Sequence, residues 1–550
     1  MIRKYSFWLC ILVIAAFGLV ASRSLFTPGF YSSHDGVTHV ARLAKFYQDL
    51  ADGQIIPCWS GGLSWGLGSP VLMYYGQVPY LLGVIPKLLG VDFAWAIKIG
   101  IIFSLVASGI TFFLWGKEVF GVKAGLVGSI LYMWAPYRFV DIYVRGAYPE
   151  NVAFIFPPLM LLSIWKIFHK KEISGYILGV VSLAGIILSH NVMAMFFIPI
   201  YICYGSGLFL LSKKDKSLII TILAFITSLS VTAYYWLPAF FEKNEVNLNN
   251  LNTSGSYLAN FVRLGQIVYS KWGWGPLGSD SPMSLQIGLT QQLVVLLAVV
   301  CVVFFVTKKT EIFHICFFLM LFVISIFLMT SASRFLWDKL PLLSFVLYPW
   351  RFLAISIFSS AALASIVIKI LNLRTIWIII LLGFTLYANR NYSQLVGKVY
   401  ENNSFYENYQ DTTDMWGEFL PVTANLDIIT MCRGKDCIFD KVVAPKDVKT
   451  EITQQKSNLF SFRYDASKNF PVTVNIFSFP GWNAYLDNLK YAGIQINGNG
   501  TMDALLPQGK HTFEMRFETT PFRKMAIYIS FAGLGLSGLY LIWLKKYLTR

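Results

Sequence analysis

The sequence predicts a polytopic α-helical membrane protein of about twelve spans, with a β-rich domain near its C-terminus. Three observations carry this expectation. Of the 550 residues, 56% are hydrophobic and only 13% are charged, which excludes a water-soluble enzyme of ordinary composition. Apolar runs of spanning or near-spanning length recur along the chain. Within residues 391–522 the hydrophobic period changes to two, which signals strands.

The apolar runs fall at 5–22, 93–115, 121–136, 150–168, 175–190, 192–211, 217–240, 285–306, 311–330, 346–368, 375–388 and 523–545. Basic residues orient them. Arg3 and Lys4, then Lys117 and Lys123, then Lys166, Lys170 and Lys171, then Lys213, Lys214 and Lys216, then Lys308 and Lys309, and finally Lys545 and Lys546 all fall on one face. By the positive-inside rule that face is cytoplasmic, with both termini, and the protein sits in the cell (plasma or inner) membrane. The register requires that 70–89 does not cross. Pro70, Pro79 and Pro86 interrupt that stretch, which reads as re-entrant or interfacial rather than as a thirteenth span. The N-terminal run reads as an uncleaved anchor, since no convincing small-residue cleavage site follows it.

This topology divides the chain into a multispanning module (1–390) with external loops at 24–92 and 241–284, an external β-rich domain (391–522), and a C-terminal anchor with a cytoplasmic tail (523–550). In the first loop Val37, Val40, Ala41, Leu43, Ala44, Tyr47 and Leu50 recur at helical spacing, which predicts an amphipathic helix lying in the interface. In the β-rich segment Val472, Val474 and Ile476 alternate with Thr473, Asn475 and Phe477, and Phe513, Met515 and Phe517 alternate with Thr512, Glu514 and Arg516. Turn signals punctuate it at 479–482, 497–500 and 507–509. The net charge of +16 follows from the basic clusters and favours anionic lipid headgroups as partners over nucleic acid. Cys432 and Cys437 lie on the external side, where they could close a small disulfide loop. The sequons at Asn252, Asn391, Asn402 and Asn499 fall on the same side.

Chemistry is sought in the loops. Asp35 and His39 share a helical face, and His34 adjoins them; two nitrogens and a carboxylate leave a metal site incomplete without a distant ligand. Asp35 is equally suited to capping the amphipathic helix. Between 136 and 150, Asp141, Arg145 and Glu150 bring both signs of charge to a short loop: Asp141 and Arg145 pair at helical spacing, or Arg145 faces a phosphate while an acid orients a sugar hydroxyl. The turn Ser189-His190-Asn191 joins two spans. Trp350 and Arg351 open the span at 346–368, where the guanidinium fork suits lipid phosphate and the indole suits stacking on a sugar or isoprenoid. Trp272 and Trp274 are interface anchors or a carbohydrate platform. No P-loop or dinucleotide fingerprint is present, so a nucleotide-sugar donor is unsupported.

These motifs resemble a known family. The run 68–80 (Gly-Ser-Pro…Tyr-Tyr-Gly…Pro-Tyr), the 136–150 loop, Ser189-His190-Asn191, Tyr348-Pro349-Trp350-Arg351-Phe352, Trp416–Pro421 and Pro480-Gly481-Trp482 are similar to the bacterial 6-pyruvoyl-tetrahydropterin synthase-related membrane proteins. Those in turn resemble the GT-C glycosyltransferase superfamily. The resemblance implies a polyprenyl-phosphate-linked sugar donor, inverting transfer to an extracytoplasmic acceptor (glycan, glycolipid or protein), and an essential acid in the first external loop, which by position is Asp35. GT-C signatures pair two acids there, whereas this chain has His34-Asp35, so a divalent metal stays an open cofactor. On this reading Asp35 is the general base, Arg145 and Arg351 bind the donor phosphate, and His34, Asp141, Glu150, His190 and Trp350 orient the substrate. The rival expectations are a lipid-linked glycan translocator and a non-catalytic assembly factor of cell-envelope polysaccharide; no internal repeat points to the former.

Overall fold

A computed structural model describes residues 2–169, 171–248, 257–435 and 437–548. Each apolar run of the sequence is helical, but the runs differ in length. Among the described residues six helices are long and apolar enough to cross a bilayer: Phe93–Phe120, Tyr148–Phe168, Asn191–Ser212, Lys309–Met329, Pro349–Leu371 and Pro521–Lys546. Asp215–Val231 and Ala233–Phe241, bent by 68° at their junction, make a seventh if they form one span. The other five apolar helices have 10–17 residues, at most about 26 Å of helix against a hydrocarbon core of about 30 Å. A count of twelve crossings is therefore not established. The stretch 70–89 folds as two helices, Val71–Tyr74 and Gln77–Leu88, of which the longer has 12 residues and covers about 18 Å.

Pro349–Leu371 is the central helix of the membrane module, with 89% of its apolar window buried inside the protein. Small residues let its neighbours approach. A Cβ on Gly128 would meet Ser365 Oγ at 2.2 Å, and one on Gly116 would meet Gly125 Cα at 2.8 Å. Ser365 Oγ also donates to the Ala124 carbonyl at 2.9 Å. Close backbone contact of this kind replaces the hydrophobic drive that lipid cannot supply between helices. The side chain of Arg351, near the N-terminus of this helix, is thus mounted on the most enclosed of the six spanning-length helices described.

The expected amphipathic helix exists as Gly36–Ala51, but it does not lie freely in the interface. Its apolar residues Val40, Leu43, Ala44 and Phe46 are buried, and so are Arg42, Lys45 and Asp49 on the other side. The polar face is covered by residues 403–419: Arg42 Nε donates to Thr413 Oγ1 at 2.9 Å, and Lys45 Nζ donates to the Glu407 carbonyl at 2.6 Å. Protein rather than headgroup or solvent satisfies the charges that the helical pattern had assigned to an open face.

Strands occupy only the later part of the segment 391–522. Apart from β1 (Phe30–Tyr31) paired with β2 (Lys398–Val399), residues 391–441 form short helices and irregular chain. From β3 (Val442–Val443) onward two antiparallel sheets form a sandwich. One has the order β3, β6 (Phe470–Phe477), β10 (Thr501–Leu506), β9 (Ile494–Ile496). The other runs β4 (Lys449–Lys456), β5 (Leu459–Ala466), β11 (Gly509–Phe517), β7 (Trp482–Leu486), β8 (Leu489–Tyr491). Val472, Val474 and Ile476 point inward as their alternation requires, to meet Phe513 and Met515. Gly481, Gly500 and Gly509, at the turns read from the sequence, all have positive φ. Cys432 and Cys437 are disulfide-bonded. The sequon at Asn252 lies outside the described residues.

The first long loop docks onto this sandwich. Trp59 is fully buried against Phe479, Trp482 and Phe517, with ring centroids 5.5–5.8 Å apart. The Phe477 amide donates to the Leu67 carbonyl at 2.8 Å, and the Ser457 amide to Asp52 Oδ2 at 2.7 Å. Trp59→Ala is expected to cost about 3–5 kcal/mol and to lower the thermal midpoint in detergent, because an aromatic is removed from a filled core. Burial pushes the Asp49 carboxyl from the usual 3.8 up to about 8, against the pull of Ser60 and Ser457. Between those values the folded state holds a proton that the unfolded chain has lost, so this contribution is complete below pH 4 and declines as pH climbs through 8. Thermal midpoints measured from pH 4.5 to 8 should therefore fall more for the wild type than for Asp49→Asn.

Candidate active site

The loop 136–150 is built around Arg145, which is 4% exposed. Its Nη1 lies 2.5 Å from Asp141 Oδ1 and 2.7 Å from Glu150 Oε2, and Glu150 Oε1 accepts from the Tyr137 hydroxyl at 2.7 Å. The guanidinium carbon stands 4.8 Å from the Trp350 ring centroid. Two carboxylates buried without this cation would carry an uncompensated desolvation cost. The pairing of Asp141 with Arg145 at four-residue spacing is thus real, and Glu150 joins it. Arg145 Nη1 is held by these carboxylates, and the residue is not among those lining the cavity described below.

That loop places the start of the helix Gly36–Ala51. The His34 and Asp35 amides donate to the Val144 and Arg145 carbonyls at 2.9 and 2.8 Å. Gly146 follows with φ +67°, and a Cβ there would meet Gly36 N and Cα at 2.8 Å. Only a residue without a side chain lets the two segments touch at this point. A second close approach brings in the Ser-His-Asn turn. A Cβ on Gly76 would meet the Ser189 carbonyl oxygen at 2.3 Å, and Asn191 Nδ2 donates to the Tyr74 carbonyl at 3.1 Å.

These contacts enclose a cavity of about 360 Å³ that gathers Asp35, His39, His190 and Arg351, together with Asp414 and Glu418 from the chain crossing above the helix. Asp35 occupies the N-cap position, but its side chain makes no capping hydrogen bond, and the residue is exposed. Capping and availability, both open from the sequence, are resolved in favour of an available carboxylate. Arg351 Nη1 donates to the Val346 carbonyl at 3.0 Å, its Nε has no partner, and its guanidinium carbon lies 5.1 Å from the Tyr348 ring centroid. One cationic fork is therefore held at the cavity wall with donor capacity left.

His190 Nδ1 accepts from the Met193 amide at 3.2 Å, capping the helix Asn191–Ser212. Burial, with Arg351 and Arg145, pushes its pKa down to about 4 against the pull of Glu150. The ring is neutral at pH 7 with Nδ1 as acceptor, so the proton sits on Nε2 and that nitrogen is a donor. His39 lines the same cavity as Asp35, as their spacing requires, with Nδ1 3.0 Å from the Tyr80 hydroxyl. His34 stands outside the cavity lining, exposed, with Nε2 donating to the Trp274 carbonyl at 2.6 Å. Trp350 is buried and stacked on Tyr348 at 5.1 Å, and Asp141 and Glu150 are buried behind the wall. None of these four is among the residues lining the cavity. Trp272, stacked on Tyr392 at 4.9 Å, is likewise packed rather than presented as a platform.

Sequence reading gave no site role to Asp414 and Glu418. Asp414 Oδ2 accepts from the Phe419 amide at 2.9 Å while Oδ1 is unpartnered, and Glu418 Oε2 accepts from the Trp416 amide at 2.9 Å. Burial, and for Glu418 the neighbouring Asp414, raises both carboxyls above their ordinary values. The run Trp416–Pro421 was visible as a motif, but nothing local assigned it to this cavity. Among the described residues no group of three or more His, Cys, Asp or Glu side chains is arranged to hold a metal ion. The side chains around Asp35 thus do not by themselves fit a divalent cation.

Several solved structures align with part of this chain. The arabinofuranosyltransferase AftD from Mycobacteria aligns with a TM-score of 0.44 at 13% identity, over 70% of this chain and 27% of that one. The oligosaccharyltransferase of Archaeoglobus fulgidus in its apo form aligns with a TM-score of 0.44 at 11% identity, over 72% of this chain and 57% of that one. ArnT from Cupriavidus metallidurans, bound to undecaprenyl phosphate, aligns with a TM-score of 0.31 at 12% identity, over 66% and 77%. An uncharacterized protein of Lactococcus lactis subsp. cremoris is 25% identical over 289 residues, which are 50% of this chain and 46% of that protein. The match thus spans about half the length of that curated relative. Residues 72–394, well over half of the chain, match the family described as "6-pyruvoyl-tetrahydropterin synthase related domain; membrane protein", and the chain belongs to that family of membrane proteins.

Proposed function

We propose that the protein is an inverting membrane glycosyltransferase that takes a sugar from a polyprenyl-phosphate donor to an acceptor outside the cytoplasm, with its active site on the outer face of the cell membrane. The observation that carries this reading is the meeting, in one cavity at the end of the membrane module, of an uncapped Asp35 carboxylate and the Arg351 guanidinium. Asp35 accepts the proton of the acceptor hydroxyl as its oxygen bonds to the anomeric carbon. The bond from that carbon to the phosphate oxygen breaks on the opposite face, and the electron pair leaves on the phosphate. Arg351 stabilises the charge that grows there, in a site where nearby protein replaces water. His190 donates from Nε2 to the sugar or phosphate. Asp414 and Glu418, kept protonated more readily than ordinary carboxyls, donate or accept at sugar hydroxyls without repelling the donor phosphate. Arg145 acts through the Asp35 backbone and is a positioning residue.

Purified protein incubated with polyprenyl-phosphate sugars and candidate acceptors should release polyprenyl phosphate. Asp35→Asn should lower that turnover by about 10²–10⁴-fold, the usual contribution of a positioned base; equal turnover would remove Asp35 from the chemistry. The two arginines should separate by phenotype. Arg351→Ala should fold normally and lose about 10²-fold or more in turnover. Arg145→Ala should instead lose about 3–5 kcal/mol of stability, seen as reduced folded yield and a lower thermal midpoint, because it leaves two buried carboxylates unpaired.

A further inference from the structure

The helix Gly36–Ala51 borders a second cavity that the proposed chemistry does not use. Its first turns line the Asp35 cavity, whereas Gln48, Asp49 and the following Asp52 line a separate space of about 310 Å³ closed by the loop 59–67 and the sandwich residues Lys441, Ser457 and Trp482. From Asp35 to Asp49 the helix rises about 20 Å. The polar groups of this space are unevenly satisfied. Asp52 Oδ2 accepts from the Ser457 amide, and Lys441 Nζ donates to the Gly66 carbonyl. Asp49 is 2% exposed and its Oδ2 has no partner; the Trp482 indole N–H is buried and has none either. An unmatched acceptor and an unmatched donor thus border one roomy cavity beside the edge of an aromatic ring, and each is costly to leave unpaired.

We propose that this cavity is a binding site for a neutral carbohydrate unit. A sugar hydroxyl is both donor and acceptor, so neighbouring hydroxyls on one ring answer Asp49 Oδ2 and the Trp482 N–H together, while the apolar face of the ring lies against the indole. An anionic ligand is disfavoured, since the Asp52 carboxylate faces the space and the Lys441 ammonium is already directed at Gly66. Burial also pulls Lys441 down to about 8 and pushes Asp49 up to about 8, which reduces the charge that either presents. The volume is at the lower end of small-molecule sites. The position, on the same rigid helix as Asp35 but about 20 Å away, suits a grip on a glycan whose end reaches the first cavity. That use as an acceptor subsite rests on the glycosyltransferase reading; the binding itself does not.

The test is titration of the full-length protein in nanodiscs with methyl glycosides of glucose, galactose and mannose, followed by calorimetry and saturation-transfer NMR. At least one glycoside should bind. Trp482→Phe keeps a ring and removes the N–H, and should weaken that binding about tenfold, the effect of one lost hydrogen bond. Asp49→Leu, which removes both oxygens at similar volume, should weaken it comparably, with folding checked by thermal midpoint. Asp35→Asn should bind as wild type does even where transfer is lost, so failure of the transferase reading leaves this result standing. The proposal is overturned if none of the glycosides binds, if binding keeps wild-type strength in a folded Trp482→Phe protein, or if Asp35→Asn abolishes it, which would place the sugar in the first cavity.

Discussion

Arg145 lies between Asp141 and Glu150 where almost no water reaches, and that ion cluster is the constraint on which the first cavity depends. The cost of burying three charges is offset only if their geometry is kept, so the loop that carries them has little freedom. Its carbonyls at 144 and 145 then receive the amides of His34 and Asp35, and Gly146 lets the helix start against it. The position of Asp35 is thus set through backbone, by a loop whose own shape is held by the Arg145 Nη1 contacts to Asp141 and Glu150.

Two elements divide the labour of the site. The buried helix Pro349–Leu371 supplies Arg351 from the membrane side, and residues 409–419 supply Asp414 and Glu418 from above. Between them the helix Gly36–Ala51 is gripped on both faces, by the membrane module on its apolar side and by residues 403–419 and the sandwich on its polar side. A helix so enclosed is a rigid ruler, which is why two cavities at its ends hold a defined separation.

Much of this was legible in the residues. The apolar runs, the alternation of Val472, Val474 and Ile476, and the glycine turns at 481, 500 and 509 report local rules of period and φ, and the structure obeys them. The candidate site was legible by residue type, since Asp35, His190 and Arg351 do converge. The division of roles was not. Which groups a guanidinium meets depends on what else is buried beside it, and Arg145 has Asp141, Glu150 and Trp350 there. Asp414 could not be connected to Asp35 because the two are far apart in sequence and meet only where residues 403–419 fold over the helix Gly36–Ala51.

By itself the sequence determined that this chain belongs in a membrane, where its apolar helices and the later strands of its β-rich segment lie, and which ionisable residues stand at helix ends, because hydrophobic period, chain stiffness and charge cost act within a few residues of one another. Tertiary structure alone decided how many helices have full spanning length, that the polar face of Gly36–Ala51 is covered by protein, that Asp35 is left uncapped, and that Arg145 is spent on Asp141 and Glu150. Those outcomes depend on which distant groups compete for the same donor or the same surface. That competition is settled only when the segments pack.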